Sequence, residues 1–380
     1  MPAVRYRASP HIVAYWESDQ LVIHQFAVGN RAAANPVILA ILHACRTWRG
    51  LDEIVRQSEG LPKQIVRAVV NVLASASFLH RSDRKVAGAE AAYATWDGWN
   101  PAAGFFHSAT RGEHWAAPPE REALMRGLVR KARRASVPAA VKPRGGRSLQ
   151  LAAVRHDGEF PSVLLARRTW RTFSRRPVAF ADFSTLLGLT AGVQMWGTSG
   201  AGNVRVPFTT SPSAGSKHPI ELYIVARRVA GVAPGVYRYA GDRHRLERIG
   251  GPVAPRQVER LLGQQWYFKH SAAVVFMTAV WARTQWTYTD ARAYRSVLAE
   301  AGHVCQTFCL AATWLNLAPF CTMALADSEI EKALRIDGIT ESVLYAAGVG
   351  MKPAGGEWVQ WPEHEPGRPS FPRKKKPRRA

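Results

Sequence analysis

A long apolar stretch towards the C-terminal end most constrains what this chain can fold into. Residues 296–317 follow a helical pattern that is apolar on most sides, interrupted by Glu300, His303, Gln306 and Asn316. A helix that is apolar on nearly all sides must be deeply buried or lie in an oligomer interface. No run reaches the roughly 18 uninterrupted apolar residues of a membrane span. The stretch therefore predicts a large core or an interface around this helix, and no membrane segment.

Composition favours a folded, intracellular protein. Hydrophobic residues make up 47% of the 380 residues, which is enough apolar surface to offset the entropy of ordering the chain. The four cysteines are too few, and not spaced in pairs, for a disulfide scaffold. Residues 1–18 contain no apolar run of signal-peptide length. We therefore expect a cytoplasmic location.

Residues 1–85 have the pattern of a small separate domain. The predicted elements are a hairpin around Ser18-Asp19-Gln20, helices from residues 36, 51 and 62, and a strand at 78–80. This order matches a winged helix-turn-helix, which binds either DNA or protein. The third helix offers only Lys63, Gln64, Arg67 and Asn71 for reading DNA. A hairpin edge that accepts an added peptide strand is an alternative, as is a purely structural extension of the next domain.

The rest of the chain divides into three further segments. Residues 86–160 form a bridge, crowded with large aromatic side chains that we expect to anchor it on a neighbouring domain. These are Trp96, Trp99, Phe105, Phe106 and Trp115. Residues 161–356 predict one large unit of mixed helices and strands, with a hairpin that turns at Gly241-Asp242. Residues 357–380 form a basic tail.

The formal net charge of +23 is concentrated in two places. The last eight residues carry six positive charges, and residues 121–147 form a second basic stretch opposed only by Glu122. Such charge favours anionic partners, although it also suits a solvated surface. Nucleic-acid binding through the tail alone would be unspecific and sensitive to salt. We therefore expect no nucleic-acid partner.

An arginine cluster is the first of four candidate sites. Arg167, Arg168 and Arg171 surround a threonine, and clustered guanidinium groups of this kind suit a phosphate. On a helix, Arg167 and Arg171 would point the same way because they are four residues apart. An exposed basic turn is the plain alternative.

The other three candidates lie further along the chain. Pro212, Ser213, Ala214 and Gly215 form a turn of small residues that can approach a flat ligand closely. The Gly348-Val349-Gly350-Met351 stretch ends at Lys352, and Tyr288 could donate or accept a proton. For Tyr288 the commoner alternative is an interfacial tyrosine with a satisfied hydroxyl. Cys305 and Cys309 fit small core residues better than metal ligands.

In this order and spacing, these features resemble the SagB-type azoline oxidases of the nitroreductase superfamily, the dehydrogenases of thiazole- and oxazole-modified peptide pathways. The matching stretches are RRTWRTF at 167–173, SPSAGSKHPIELYIV at 211–225, PGVYRYAGDRHRLERIG at 234–250, ARAYRSVLAEAGHVCQTFCLAATWLNLAP at 291–319 and LYAAGVG at 344–350. WDGWNPAAGFFHSATR at 96–111 resembles the family's lead-in. The resemblance extends over about residues 95–353.

The resemblance implies an α+β, nitroreductase-like FMN-binding fold, preceded by a small winged-helix-like domain that recognises a leader peptide. FMN would be held non-covalently at a homodimer interface. The cofactor-binding residues that it implies are Arg167, Arg168, Arg171, Pro212, Ser213, Ala214, Gly215, Arg295 and Lys352. The implied partners are a ribosomally made precursor peptide and a cyclodehydratase or other maturation enzymes.

One departure from the family pattern concerns the proton acceptor. Azoline oxidases of this kind carry a Lys-Tyr pair where this chain has Thr287-Tyr288. A threonine hydroxyl cannot replace an amine as a base near neutral pH. Tyr288 would then act with another group, and Lys217 and His218 are the candidates.

Three functions therefore stay open at this stage. The first is an FMN-dependent dehydrogenase that carries out an azoline-to-azole or related two-electron oxidation of a peptide. The second is a non-catalytic peptide-binding scaffold of a modifying complex. The third is a small-molecule nitroreductase, which the extra N-terminal unit disfavours.

Overall fold

The computed structural model describes residues 3–58, 60–86, 88–111, 156–198, 205–355 and 358, with isolated positions between 120 and 152. Most of the basic stretch at 121–147 and nearly all of the basic tail lie outside the described residues, as does Trp115. Among the described residues, no helix is both long and apolar enough to cross a bilayer.

The N-terminal part is a small β/α unit. Its elements are β1 (Arg5–Ala8), β2 (Ile12–Glu17), β3 (Gln20–Gln25), β4 (Asn30–Ala33), α1 (Pro36–Ala44), β5 (Arg49–Gly50), α2 (Leu51–Gln57), α3 (Lys63–Ser75) and β6 (Leu79–Arg81). The predicted hairpin is confirmed, because β2 pairs antiparallel with β3. The predicted start of α1 is confirmed as well. The Asn35 side chain accepts a 2.9 Å hydrogen bond from Ile38 N, and Pro36 follows it.

The strands of this unit form two small sheets. The strand order is β5-β1-β6 in one sheet and β2-β3-β4 in the other. The final strand therefore pairs with β1 and not with the hairpin. The hairpin sheet leaves the backbone edges of β2 and β4 without a neighbouring strand among the described residues.

A short bridge joins this unit to the rest of the chain. It consists of α4 (Gly88–Tyr93), a 3₁₀ segment (Ala94–Trp99) and α5 (Ala102–Thr110). Trp96 and Trp99 are each 1% exposed and contact the ring of Trp281. Trp96 Nε1 also donates to the Ile339 carbonyl oxygen at 3.1 Å. The predicted anchoring is confirmed for these two tryptophans, whereas Phe106 is half exposed.

The large unit is built on one antiparallel sheet. Its helices are α6 (Glu159–Ala166), α7 (Phe180–Ala191), α8 (Pro255–Leu261), α9 (Trp281–Gln285), α10 (Tyr294–Trp314) and α11 (Asp327–Leu334). Its strands are β7 (Met195–Thr198), β8 (Arg205–Phe208), β9 (Ile220–Ala226), β10 (Gly235–Ala240), β11 (Arg245–Gly250), β12 (Ala273–Val280), β13 (Leu317–Thr322) and β14 (Glu341–Met351). The central sheet has the order β11-β10-β9-β12-β14-β13, and β7 pairs with β8 apart from it.

Both faces of the central sheet are buried. Along β9, Leu222 and Ile224 face a core shared with α7 and α10, whereas Tyr223 and Val225 face a core shared with α8 and α11. Successive strand side chains point to opposite faces, so a strand buried on both sides reads as continuously apolar. The result is an α+β fold in which helices cover both sides of the sheet.

The long apolar helix differs from its prediction in two ways. It ends at Trp314, and Leu317 begins β13. Asn316 lies between them with a φ of 57°, a left-handed conformation that ends helices and that asparagine tolerates. The helix is also not covered on all sides, because Leu298, His303, Gln306 and Trp314 lie on an exposed face.

Candidate functional site

The turn between β8 and β9 has an unusual backbone. Gly215, Ser216 and His218 have φ values of 59°, 53° and 42°. Residues other than glycine rarely adopt this left-handed backbone conformation, and such backbone strain is often found at functional sites. The turn is tied together by Ser213, whose Oγ accepts a 2.8 Å hydrogen bond from His218 N. The small residues identified from sequence therefore form one tightly folded loop.

Ser213 also joins this turn to α10. Because its Oγ accepts from His218 N, its hydroxyl proton is free to donate to Glu300 Oε2, 2.6 Å away. Glu300 is 4% exposed. Burial raises the pKa of Glu300 to about 7, although the Ser213 hydrogen bond and the charge of Arg283 act in the opposite direction. A buried carboxyl that titrates near neutrality thus lies directly beside the turn.

Glu300 lines a cavity of about 390 Å³, a volume in the range of small-ligand sites. Lys217, His218, Glu221 and Arg283 also line it. Glu221 is ion-paired, because Arg283 Nη2 lies 2.5 Å from its Oε1 and Arg238 Nε lies 3.2 Å from its Oε2.

His218 and Lys217 lie on the cavity wall in different settings. Burial lowers the pKa of His218, although a hydrogen bond to the Pro207 carbonyl opposes this, and the nearby Arg283 lowers it further. The neutral imidazole is therefore favoured. Lys217 Nζ lies 4.6 Å from the centre of the Trp286 ring, a cation–π contact that holds the ammonium at the surface.

Tyr288 lies against the turn. A Cβ placed on Gly215 would be 2.8 Å from the Tyr288 hydroxyl oxygen, so the tyrosine reaches the middle of the loop. Its side chain stays partly exposed. Trp99 Nε1 of the bridge donates a 2.8 Å hydrogen bond to the Tyr288 carbonyl oxygen. The tyrosine-bearing loop is therefore connected to both the turn and the N-terminal half of the chain.

The arginine segment is not helical, so the condition under which Arg167 and Arg171 would share a helical face is not met. α6 ends at Ala166, and the next residues run extended beside the sheet. Trp170 N donates to the Pro319 carbonyl and Ser174 N to the Met351 carbonyl. These bonds to β13 and β14 satisfy the backbone in place of a helix.

Three of the basic residues implied for phosphate lie over different aromatic rings. Lys352 Nζ lies 5.5 Å from the ring centre of Trp170, the residue just before Arg171. The Arg168 guanidinium lies 5.9 Å from the ring centre of Trp358, and that of Arg171 lies 5.6 Å from the ring centre of Tyr267. Arg295 is exposed on the first turn of α10, and no contact within the described part of the chain joins it to these residues.

Comparison with known proteins assigns the family. The model of the nitroreductase family matches residues 164–351. The protein MJ1384 of Methanocaldococcus jannaschii, named as a nitroreductase, is 34% identical over 174 residues, which are 46% of this chain and 83% of that protein. The chain belongs to the nitroreductase family. Members of this family are oxidoreductases.

Two further proteins are similar to this chain. The trifolitoxin-processing protein TfxB of Rhizobium leguminosarum bv. trifolii is 31% identical over 141 residues, 36% of this chain and 37% of TfxB. The match thus extends over little more than a third of that relative. Among solved structures, a chain of the E. coli microcin synthetase McbBCD complex, with truncated pro-MccB17 bound, has a TM-score of 0.44 and 19% identity over 62% of this chain and 94% of that chain.

Sequence reasoning did not identify Glu300 or Arg283 as site residues in this nitroreductase-family chain. Glu300 was visible only as an interruption of an apolar helix. Its signal was a lone carboxyl with apolar Val297, Ala301 and Val304 on the same helical face. Arg283 gave no local signal, since it reaches the cavity through long-range contacts to His218 O and Glu221.

Proposed function

We propose that this chain is an FMN-dependent oxidoreductase that oxidises a ribosomally synthesised precursor peptide, by azoline-to-azole dehydrogenation or a related two-electron oxidation. Membership of the nitroreductase family supports the redox class. The observation that carries the proposal is the hydrogen bond from Ser213 to Glu300, a buried carboxyl on the wall of the 390 Å³ cavity. It supports a proton acceptor beside the turn that we assign to the flavin ring.

The residues present fit FMN in two places. Arg167, Arg168, Arg171 and Lys352 supply the cationic donors that a phosphate needs, and Lys352 lies over the ring of Trp170, next to Arg171 in the chain. Residues 212–215 supply an uncharged turn for the ring system, in which Gly215 leaves room for the Tyr288 hydroxyl. When bound, FMN supplies the acceptor for a hydride from the substrate carbon.

Glu300 is the group that we assign to accept the proton lost with that hydride. Glu221 is unsuited to this because two arginines pair its charge. Within the described residues, the donor to Glu300 is the Ser213 hydroxyl 2.6 Å away, and the Glu300 pKa of about 7 matches neutral conditions. Glu300 would replace, as proton acceptor, the lysine that azoline oxidases carry where this chain has Thr287. Lys217 and His218 would line the path of the substrate, and Tyr288 would position the turn.

A peptide substrate is supported by one relative and by the N-terminal unit. TfxB is named as a toxin-processing protein. Residues 1–85 would act as a leader-peptide-binding domain, with a peptide strand added to an open edge of the β2-β3-β4 sheet. Residues 86–160 would act as the bridge, and the Trp99–Tyr288 hydrogen bond connects it to the catalytic loop. Leader binding would raise the effective concentration of the substrate at the flavin.

A homodimer is part of the same proposal. The outward face of α10 exposes Leu298 and Trp314, apolar side chains that a second copy of the helix would cover. Precursor peptide, a cyclodehydratase and other maturation enzymes would be the further partners. Cytoplasmic location follows as a proposal, since such peptides are modified where they are made.

The decisive experiment measures the mass of the peptide. The chain is co-expressed with a precursor peptide and its ring-forming enzymes, and each oxidised site should lose about 2 Da, the two hydrogens of one oxidation. E300Q should leave the peptide unoxidised while the purified protein stays yellow. An unchanged peptide mass with the wild-type, flavin-loaded protein would overturn the proposal.

A non-catalytic peptide-binding subunit is the second candidate, and Thr287 favours it because the usual lysine is missing. The visible absorbance of the purified protein distinguishes the oxidoreductase from the non-catalytic subunit. A purified protein without flavin bands that still binds the precursor peptide would support the scaffold. Bound flavin that is reduced on mixing with the peptide would exclude it.

A further inference from the structure

Three of the four cysteines in this chain meet at one point. Cys305 and Cys309 lie one turn apart on α10, and Cys321 lies on β13. Their Sγ atoms are all within 4.8 Å of one another. Within the described part of the chain, this is the one group of three or more His, Cys, Asp or Glu side chains close enough to hold a metal ion. The flavin proposal makes no use of it.

Tyr345 lies beside the three sulfurs. Tyr345 Oη donates to Cys321 Sγ at 3.7 Å. A hydrogen bond of this kind orients a ligand sulfur and favours its charged, metal-binding form. The cluster therefore has a supporting hydroxyl group in addition to its three sulfurs.

The three cysteines differ in solvent exposure, with two buried and one partly exposed. Cys305 is 3% exposed and Cys309 is 2% exposed, so both are shielded by the core. Cys321 is partly exposed and gives an ion a way in. A buried ligand set with one accessible member has the entry path that a metal site requires.

We propose that Cys305, Cys309 and Cys321 bind one soft, thiophilic cation, and that Cu(I) is the ion that fits. Three sulfurs about 2.3 Å from a central ion lie roughly 4 Å apart, which is within the 4.8 Å limit on the separations of these three Sγ atoms. Structural zinc sites take four ligands, and the described residues supply only three sulfurs here. Soft thiolates select Cu(I), which accepts three-coordination. Binding exchanges thiol protons for the ion.

The experiment titrates the purified, reduced full-length protein with Cu(I) under anaerobic conditions, against a chromophoric Cu(I) chelator. We expect one Cu(I) per chain and an ultraviolet thiolate-to-copper absorption band. C321A should weaken binding by roughly 100-fold or more, because losing a residue that merely supports a ligand already costs about 10- to 100-fold. Zn(II) alone should compete poorly.

Two matched variants make the result specific. C45A removes the fourth cysteine, which is buried in the N-terminal unit far along the chain, and should leave the Cu(I) affinity unchanged. Y345F keeps all three sulfurs, removes the hydroxyl donor, and should weaken binding by about 10-fold. Circular dichroism confirms that each variant is folded. Absence of a one-to-one complex, or equal affinity in wild type and a folded C321A, would overturn the proposal.

Discussion

The Ser213 hydroxyl donates a 2.6 Å hydrogen bond to Glu300 Oε2, and this contact joins a strained turn to the middle of the long helix. Ser213 Oγ accepts from His218 N at 2.8 Å, which leaves the hydroxyl proton available for the ionised Glu300 carboxylate. Glu300 is nearly fully buried, so its ionised form is costly and its pKa is raised to about 7. The pair therefore couples the geometry of the turn to the protonation of one carboxyl.

Replacing Glu300 should remove the rise with pH in the rate of peptide-dependent flavin reduction. Glu300 must be ionised to accept a proton, so the rate of peptide-dependent flavin reduction in wild type should rise through pH 7 or so. E300Q should lower that rate by roughly 10²- to 10⁴-fold, the usual contribution of a general base. E247Q, at an exposed ion pair, is the control and should keep the full profile. If the rate for E300Q still rises with pH through about pH 7, Glu300 is not the proton acceptor.

The same carboxyl has a thermodynamic signature that needs no substrate. A raised pKa means that the folded chain holds the Glu300 proton more tightly than the unfolded chain. The free energy of unfolding should therefore fall as pH rises from the ordinary value of 4.5 to about 7. Denaturant unfolding of wild type and E300Q across this range measures the difference between them. That difference should change with pH inside this window and stay constant outside it.

Removing the hydroxyl should move the pH profile without abolishing it. S213A takes away the donor that favours the ionised form of Glu300, so the pKa of Glu300 should rise further. A hydrogen bond to a charged group contributes about 1.5–3 kcal/mol, which corresponds to an upward shift of roughly one to two pH units. The midpoint of flavin reduction against pH measures it. T209A, which removes a neighbouring hydroxyl on the cavity wall, should shift the midpoint much less.

A methyl group at Gly215 should disturb the turn. Alanine at a φ of 59° costs about 1–2 kcal/mol, and its Cβ would lie 2.8 Å from the Tyr288 hydroxyl oxygen. We expect G215A to lower the melting temperature and to weaken FMN binding, as measured by flavin fluorescence. G251A is the matched control, because its Cβ would meet open space and its φ is not left-handed. Equal FMN affinity in the two variants would argue against ring binding at residues 212–215.

Local signals in the sequence predicted several helix starts and hairpins of the fold correctly, as two examples show. Asn35 before Pro36 predicted a helix start because both residues act within one turn, and the Gly241-Asp242 pair predicted the β10–β11 hairpin. The end of α10 was missed because β13 continues the apolar run directly. The break there is conformational, at Asn316, and apolar periodicity does not report it.

The site was less accessible to sequence reasoning because its contacts are distant along the chain. The arginine segment has a helical spacing, but its backbone bonds to Pro319 and Met351, more than 140 residues away. Glu300 and Ser213 are 87 residues apart. A resemblance to a family could supply the turn and the arginines. It could not indicate that the buried Glu300 carboxyl lies beside the turn.

The contacts between the N-terminal unit and the bridge should lose stability in acid. Glu90 is 5% exposed and contacts Ser9, His11 and His80. Burial opposes its ionisation, but hydrogen bonds from these three side chains outweigh burial and lower its pKa to about 2. A lowered pKa stabilises the fold above the ordinary value of 4.5, and that stability is lost as pH falls towards 2.

We therefore expect E90Q to be less stable than wild type at neutral pH by about 3 kcal/mol, and this difference to shrink below pH 4.5. Denaturant unfolding at a series of pH values measures it. E17Q, at an exposed pair with Arg31, should change the free energy of unfolding by less than about 1 kcal/mol. A difference between E90Q and wild type that does not vary with pH would contradict the lowered pKa.

Salt should separate leader-peptide binding from flavin binding. The chain carries +23, and an acidic leader would be attracted largely by exposed charges, which salt screens within about 10 Å at 0.1 M. Raising NaCl from roughly 50 to 500 mM should weaken the affinity for a fluorescent leader peptide by about 10-fold or more. The ratio of FMN to protein should stay constant, because several guanidinium groups would hold the phosphate in direct contact. A chain ending at residue 372 lacks six of the positive charges and tests the part played by the tail. Equal salt sensitivity of peptide and flavin would mean that both bind through the same exposed charges.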